Sequence, residues 1–288
     1  MAGLLSGLSK LGLENLEGME LYGTPEEKEE PKESKEKDVP EVKEEDFLFD
    51  KTYECPVCYQ TFKSKTVRSS KARLIRTDKD LRPVYQDIDP LKYDVAVCNC
   101  CGYAVLSKNF GGLTPTQIKS VRENISVNFK SFDRNESVYS YEEALDRHKL
   151  CLANTIVKRG KASEKAYVCL KTGWLVRSMK EKLDPEKEGY EKKFNEIQEQ
   201  EREFLRNALD GFITAMQSER FPICGMDEHT LEYLIAVLAM GFEQYEISVR
   251  LVSNLLVSQT ANNRTKDKAR ELKKELIERI KEKNSRTS

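Results

Sequence analysis

Apolar residues are spaced in three different ways along the chain. Over residues 3–22, Leu5, Leu8, Leu11, Leu13 and Leu16 recur at roughly helical spacing, but Gly7, Gly12 and Gly18 interrupt them, which predicts a marginal helix at best. From Thr24 to Asp46 the chain is dominated by Glu, Lys and Pro with almost nothing to bury, the pattern of a disordered linker. The leucine segment then reads either as a tethered docking peptide or as a frayed tail. Order is expected from Phe47, and residues 51–105 read as strand-rich. Tyr53 enters Cys55-Pro-Val-Cys58, Arg73-Leu-Ile-Arg76 lies mid-segment, and Tyr93-Asp-Val-Ala-Val97 runs into Cys98. After Gly111-Gly112 the period becomes helical and stays so, placing a boundary near residue 112.

Turn signals divide the helical part. Thr114-Pro115 reads as an N-cap with proline at the first helical position, opening a helix to about Asn128. Ser140 starts a second, ending near Gly160, and Ser163 a third, with Ala166, Leu170, Trp174, Leu175 and Met179 on one stripe. A long charged helix is expected over 186–218. Asp227 caps the next, Gly241 breaks it, Tyr245 to Val257 returns beside it, and a last helix runs from about Thr265 to Lys281. Short breaks between such helices imply antiparallel hairpins. Residues 233–255, with small Ala236 and Ala239 before the turn, resemble a tetratricopeptide repeat. The expected fold is α+β, predominantly α: a flexible leader and acidic linker (1–46), a small zinc-ribbon-like domain (47–112) and a tetratricopeptide-like helical domain (113–288).

Composition adds two constraints. No apolar run approaches the roughly 18–20 residues of a membrane span, and the N-terminus lacks a signal-peptide pattern, so a cytoplasmic location is expected. Reduced thiols in that compartment make the eight cysteines better suited to metal binding than to disulfides. The net charge of −1 is unevenly spread: residues 1–50 hold 15 acidic and 6 basic side chains, about −9, leaving about +8 on the rest. Such a mildly basic body is compatible with RNA or an acidic protein surface without establishing either.

The chemistry is concentrated in the cysteines. Cys55 and Cys58, and Cys98 and Cys101, form two C-x-x-C pairs about 40 residues apart, each at a strand end. Two residues between thiolates aim both sulfurs at one point, and two such turns complete the tetrahedral four-sulfur site that zinc prefers. Gly102 supplies the positive φ that lets backbone N–H groups approach sulfur. Four thiolates leave no open position, so one structural Zn²⁺ is expected rather than a catalytic one. Cys100 is left over, pointing away from the metal as a spare thiol or a redox-responsive substitute ligand.

Between the pairs, residues 63–76 hold six basic side chains and no acid, among them Lys65, Arg68, Lys71, Arg73 and Arg76. These are candidates for tracking phosphates, with Tyr53, Phe62 and Tyr85 available to stack bases. The alternative is a solvated strand face, or one paired with Asp78, Asp80, Asp87 and Asp89. Cys151, Cys169 and Cys224 read as packing residues, as does Trp174. His148 and His229, the only histidines, have no nucleophile paired with them in sequence, and phosphate-loop, dinucleotide and H-E-x-x-H motifs are missing.

These residues resemble an uncharacterised bacterial family, domain of unknown function 2225. The likeness rests on Gly12-Leu-Glu-Asn-Leu16, Lys51-Thr-Tyr-Glu-Cys-Pro-Val-Cys58, Val67-Arg-Ser-Ser-Lys71, Tyr93 to Cys98, Cys101-Gly-Tyr-Ala104 and Gly225-Met-Asp-Glu228. It implies a zinc-ribbon-like N-terminal region with tetratricopeptide-like helices, and no established activity. Tyr59 and Cys100 depart from the family pattern. The expected role is a cytoplasmic zinc-binding adaptor for a protein or peptide partner, with no small-molecule substrate and no membrane. The alternative is a nucleic-acid-binding protein, and an enzyme is the least expected; a deep acid-lined pocket in the helical region would revive that last reading.

Overall fold

A computed structural model describes residues 43–132 and 137–287. The leucine segment and most of the acidic stretch lie outside the described residues. The N-terminal part consists of three antiparallel hairpins. β1 (Leu48–Glu54) pairs with β2 (Thr61–Val67), β3 (Leu74–Thr77) with β4 (Pro83–Tyr85), and β5 (Val95–Val97) with β6 (Ala104–Leu106). The first runs in register from Leu48 opposite Val67 to Glu54 opposite Thr61. Its loop, Cys55–Gln60, and the β5–β6 loop, Cys98–Tyr103, carry the two cysteine pairs.

Seven helices follow among the described residues: α1 (Pro115–Val121), α2 (Tyr141–Val157), α3 (Ala162–Glu181), α4 (Tyr190–Ser218), α5 (Glu228–Gly241), α6 (Tyr245–Val257) and α7 (Asn263–Thr287). The fold is α+β and predominantly α. Three helix starts fall at the expected caps. Thr114 accepts from Gln117 N–H while the Gln117 side chain accepts from Thr114 N–H, Ser140 accepts from Glu143 N–H, and Asp227 from Thr230 N–H. Others shift. α1 ends at Val121 and gives way to one π turn over Arg122–Ser126. α3 starts at Ala162 rather than Ser163, because the Ser163 hydroxyl and N–H both donate to the Glu219 carboxylate (2.6 and 2.9 Å) and leave the cap position to Lys161.

β5 and β6 are buried on both faces, which explains their unbroken apolar sequences. Alternate residues then serve two clusters. Val95, Val97, Ala104 and Leu106 join the main core with Leu170 and Trp174 of α3, Leu209 and Phe212 of α4, and Leu234 of α5. Tyr103 and Val105 face the other way, packing with Cys55, Val57, Cys98, Cys101 and Val121. Residues on both sides of Gly112 thus share one core, and Val42–Ser288 form one compact unit. α3 and α4 approach closely at Gly173, where an added Cβ would stand 2.7 Å from Leu205 Cδ2. At the N-terminal edge Glu44 takes the Lys92 ammonium at 2.8 Å and the Tyr93 hydroxyl at 2.9 Å, so the described part of the acidic stretch is tied to the fold.

Candidate metal centre

The two cysteine loops have the same hydrogen-bond frame. In the first, Cys55 N–H donates to Gln60 C=O (3.0 Å) and Tyr59 N–H to Cys55 C=O (2.9 Å). In the second, Cys98 N–H donates to Tyr103 C=O and Gly102 N–H to Cys98 C=O, both 2.9 Å. The fifth residue of each loop is left-handed, with φ +62° at Tyr59 and +73° at Gly102. This turn brings the chain back into the strand while both thiols stay on its inner side. Tyr59 bears the strain of this backbone at a position that is 62% exposed, where its side chain extends into solvent. Gly102 has no such room, since a Cβ there would fall 2.5 Å from Phe129 Cγ.

The structure brings Cys55, Cys58, Cys98 and Cys101 together, with all four Sγ atoms within 4.8 Å of one another. Cys55 and Cys101 sulfurs are 3.5 Å apart, those of Cys58 and Cys98 3.6 Å. A tetrahedral four-sulfur site with metal–sulfur bonds of about 2.3 Å needs sulfurs about 3.8 Å apart, so the arrangement can hold a metal ion with small adjustments. Cys55, Cys98 and Cys101 are buried and Cys58 half-buried. A hydrogen bond from Cys101 pulls the Cys55 thiol down to about 4, helped by Cys98 and by the N–H groups of Cys58 and Val57, while the same contact drives Cys101 upward. The sulfurs are close enough to share protons, and a cation placed between them would displace those protons and hold all four as thiolates.

Helical residues hold both loops. From the π turn, Arg122 Nε donates to Val57 C=O at 3.0 Å, and its guanidinium lies 5.8 Å from the Tyr59 ring centre. Asn154 of α2, fully buried, donates through Nδ2 to Gly102 C=O and to Leu150 C=O, each at 2.9 Å. Neither residue stands out as a site residue in the sequence. Asn154 carries the one available signal, a polar side chain on the buried face of an amphipathic helix. Cys100 is exposed and takes no place among the four sulfurs; the Cys58 charge beside it raises its thiol.

The basic residues between the loops are dispersed. Lys65 pairs with Asp50 at 3.0 Å, and Arg68 donates to Leu48 C=O at 3.2 Å with its guanidinium over Phe49. Lys71 donates to Asp46 C=O at 2.9 Å, and Arg76 pairs with Asp78. Arg73 has no side-chain partner among the described residues and adjoins exposed Leu74 and Ile75. Tyr53 is buried, 5.5 Å from Phe62 and 4.5 Å from Phe110 between ring centres, so it fills the cluster around the cysteines.

Cys151 and Cys169 are buried, and burial pushes their thiols up to about 12 and about 11. Cys224 donates to Ser163 C=O at 3.3 Å. His148 is fully buried, with Nε2 2.9 Å from Leu91 C=O and Nδ1 3.3 Å from Thr172 Oγ1. His229 meets a hydroxyl the sequence does not suggest, Ser258 Oγ at 2.9 Å from Nε2. That oxygen also accepts from the N–H groups of Thr260 and Ala261, the arrangement of a turn cap. The sequence gives no sign of a buried charge network on α3: Trp174 Nε1 donates to Asp80 (2.9 Å), Arg177 pairs with Asp80 and Glu201 (2.8 and 2.7 Å), and Lys180 with Glu201 (2.6 Å).

Two hairpin loops that deliver four thiols to one point, held by a helical body, define an α+β protein with a cysteine cluster fit for a metal ion. Over residues 48–276 the sequence matches the family described as "Uncharacterized protein conserved in bacteria (DUF2225)", and the chain belongs to that family. The matched span takes in both cysteine loops and runs from β1 to the fourth turn of α7. No curated protein and no solved structure matches the chain. No helix of the described residues is long and apolar enough to cross a membrane.

Proposed function

We propose that the chain is a zinc-stapled adaptor, in which one structural Zn²⁺ on Cys55, Cys58, Cys98 and Cys101 fixes the hairpins and the helices receive a protein or peptide partner. The observation that carries this reading is the meeting of four largely buried sulfurs within 4.8 Å. An all-cysteine set is the donor chemistry of structural zinc, and four protein ligands complete a tetrahedral shell, which favours holding a fold over activating water. The metal would join β1–β2 to β5–β6, linking a peripheral hairpin to strands that belong to the main core.

For the helical part, α5 and α6, 14 and 13 residues long and separated by three, support the tetratricopeptide-like reading. Ala236 and Ala239 are fully buried, and Ser248 Oγ donates to Ala236 C=O at 2.7 Å. A groove of about 730 Å³ between α2, α3 and α4 supports partner binding, with Ile156, Ala166, Phe204 and Gly211 among its lining residues. A nucleic-acid role stands second, because four of the five candidate cations are engaged within the protein and only Arg73 stays without a partner among the described residues. The test is metal content. Elemental analysis should find one zinc per chain, and Cys55→Ser or Cys101→Ser should lose it together with the near-ultraviolet signal of the packed Tyr53, Phe62 and Phe110. Full zinc in either variant would refute the ligand set.

A further inference from the structure

Away from the metal centre, α3, α4, α5, α7 and the β3–β4 turn bound a cavity of about 380 Å³. Its size falls within the range of small-molecule sites. Leu205 of α4, Val237 and Leu238 of α5 and Phe242 just beyond give it an apolar lining. Five basic side chains and three acidic ones share it, a surplus of two positive charges.

The three carboxylates are already committed. Asp80 accepts from Trp174 Nε1 and pairs with Arg177, Glu201 takes Arg177 on one oxygen and Lys180 on the other, and Glu275 takes Lys79 and Arg279 at 2.6 and 3.0 Å. Asp80 and Glu201 are more than nine-tenths buried. The fifth cation, Arg202, has no carboxylate partner among the described residues. It lies 5.3 Å from the Phe242 ring centre, and Arg206 approaches the same ring at 4.7 Å. A network that only fastened the β3–β4 turn to the helices would account for the four paired cations. It would not account for Arg202 or for the apolar walls beside it.

We propose that this cavity binds an amphipathic anion, a ligand with a carboxylate or phosphate head and an apolar body. The head meets Arg202, whose planar guanidinium suits either group, and the body lies on Leu205, Val237 and Phe242. A cationic ligand would find no uncommitted carboxylate in the cavity, and an uncharged one would gain nothing from Arg202. This site is independent of the zinc reading.

The experiment uses the full chain and the anionic dye 1-anilinonaphthalene-8-sulfonate, followed by fluorescence. One saturable site is expected, weakened about tenfold or more in Arg202→Glu by reversing a charge at the head position. Arg202→Lys should bind between the two. The unfolding temperature of each variant, measured alongside, should stay within about 4 °C of the wild type, because Arg202 is exposed, makes no ion pair among the described residues and loses at most its weak contact with Phe242. Decanoate and 1-naphthyl phosphate compete in parallel, and the tighter competitor identifies the head. Absence of a saturable site, equal affinity in Arg202→Glu, displacement by neither anion, or displacement by uncharged decanol as effective as by decanoate would overturn the proposal.

Discussion

Replacing Gly102 with alanine probes the second cysteine loop without touching a thiol. The backbone there sits at φ +73°, where a Cβ costs roughly 1–2 kcal/mol. The new methyl would also stand 2.5 and 2.7 Å from Phe129 Cγ and Cδ2, so the ring must move, at about 1–3 kcal/mol for overpacking. Together these give about 3 kcal/mol. Tyr59 occupies the matching position of the first loop at φ +62°, but its side chain is exposed and its distant Arg122 contact is worth under about 1 kcal/mol. In Tyr59→Gly, relief of the left-handed strain offsets that loss and the entropy of glycine, leaving stability within about 1 kcal/mol of the parent. Thermal unfolding at fixed zinc concentration tests the pair, since bound metal shifts apparent stability. At roughly 2–4 °C per kcal/mol for a body of this size, Gly102→Ala should lower the midpoint by about 6–12 °C, and Tyr59→Gly should move it by less than about 4 °C. A Gly102→Ala midpoint within about 2 °C of wild type, or equal losses in both variants, would refute this account of the loops.

Asn154→Leu removes the only side-chain donor to Gly102 C=O among the described residues and should cost about 2–3 kcal/mol, read as a lower urea midpoint; an unchanged midpoint would mean the loop does not depend on α2. Glu201→Gln leaves Arg177 and Lys180 without their shared carboxylate in a largely buried network, so a loss of about 3 kcal/mol is expected, and a loss under about 1 kcal/mol would contradict it. His148 is held below the ordinary histidine range by burial, so the unfolded chain takes up its proton first. Its contribution to stability is full above about pH 6.5 and is lost as pH falls toward the folded value, at about 1.4 kcal/mol per pH unit. His148→Gln should therefore flatten the urea midpoint between pH 7 and 5 relative to wild type, and parallel profiles would contradict the assignment.

Local features were legible in the sequence wherever the physics is local. The C-x-x-C spacing located the four sulfurs that the structure brings together, and Thr114, Ser140 and Asp227 marked helix starts because a side-chain oxygen three residues before an N–H is a short-range signal. The small residues before Gly241 likewise marked the close α5–α6 pair. Long-range partners were not legible. Ser163 looked like a cap until Glu219, 56 residues away, took its hydroxyl. Asp80 reads in the sequence as a possible partner of the basic stretch before it, whereas its partners lie on α3, 94 and 97 residues later. Tyr53 looked available for stacking, but Phe110 covers it. The sharing of one core by β5–β6 and the helices was hidden for a related reason. A strand buried on two faces shows which residues are apolar without showing what each face packs against.

The most direct test of the zinc-stapled account is X-ray absorption at the zinc edge on protein purified without added metal. The expected result is four sulfur neighbours at about 2.3 Å and no nitrogen or oxygen bound to the metal. Three sulfurs with an oxygen or nitrogen, or a sample without zinc, would contradict it.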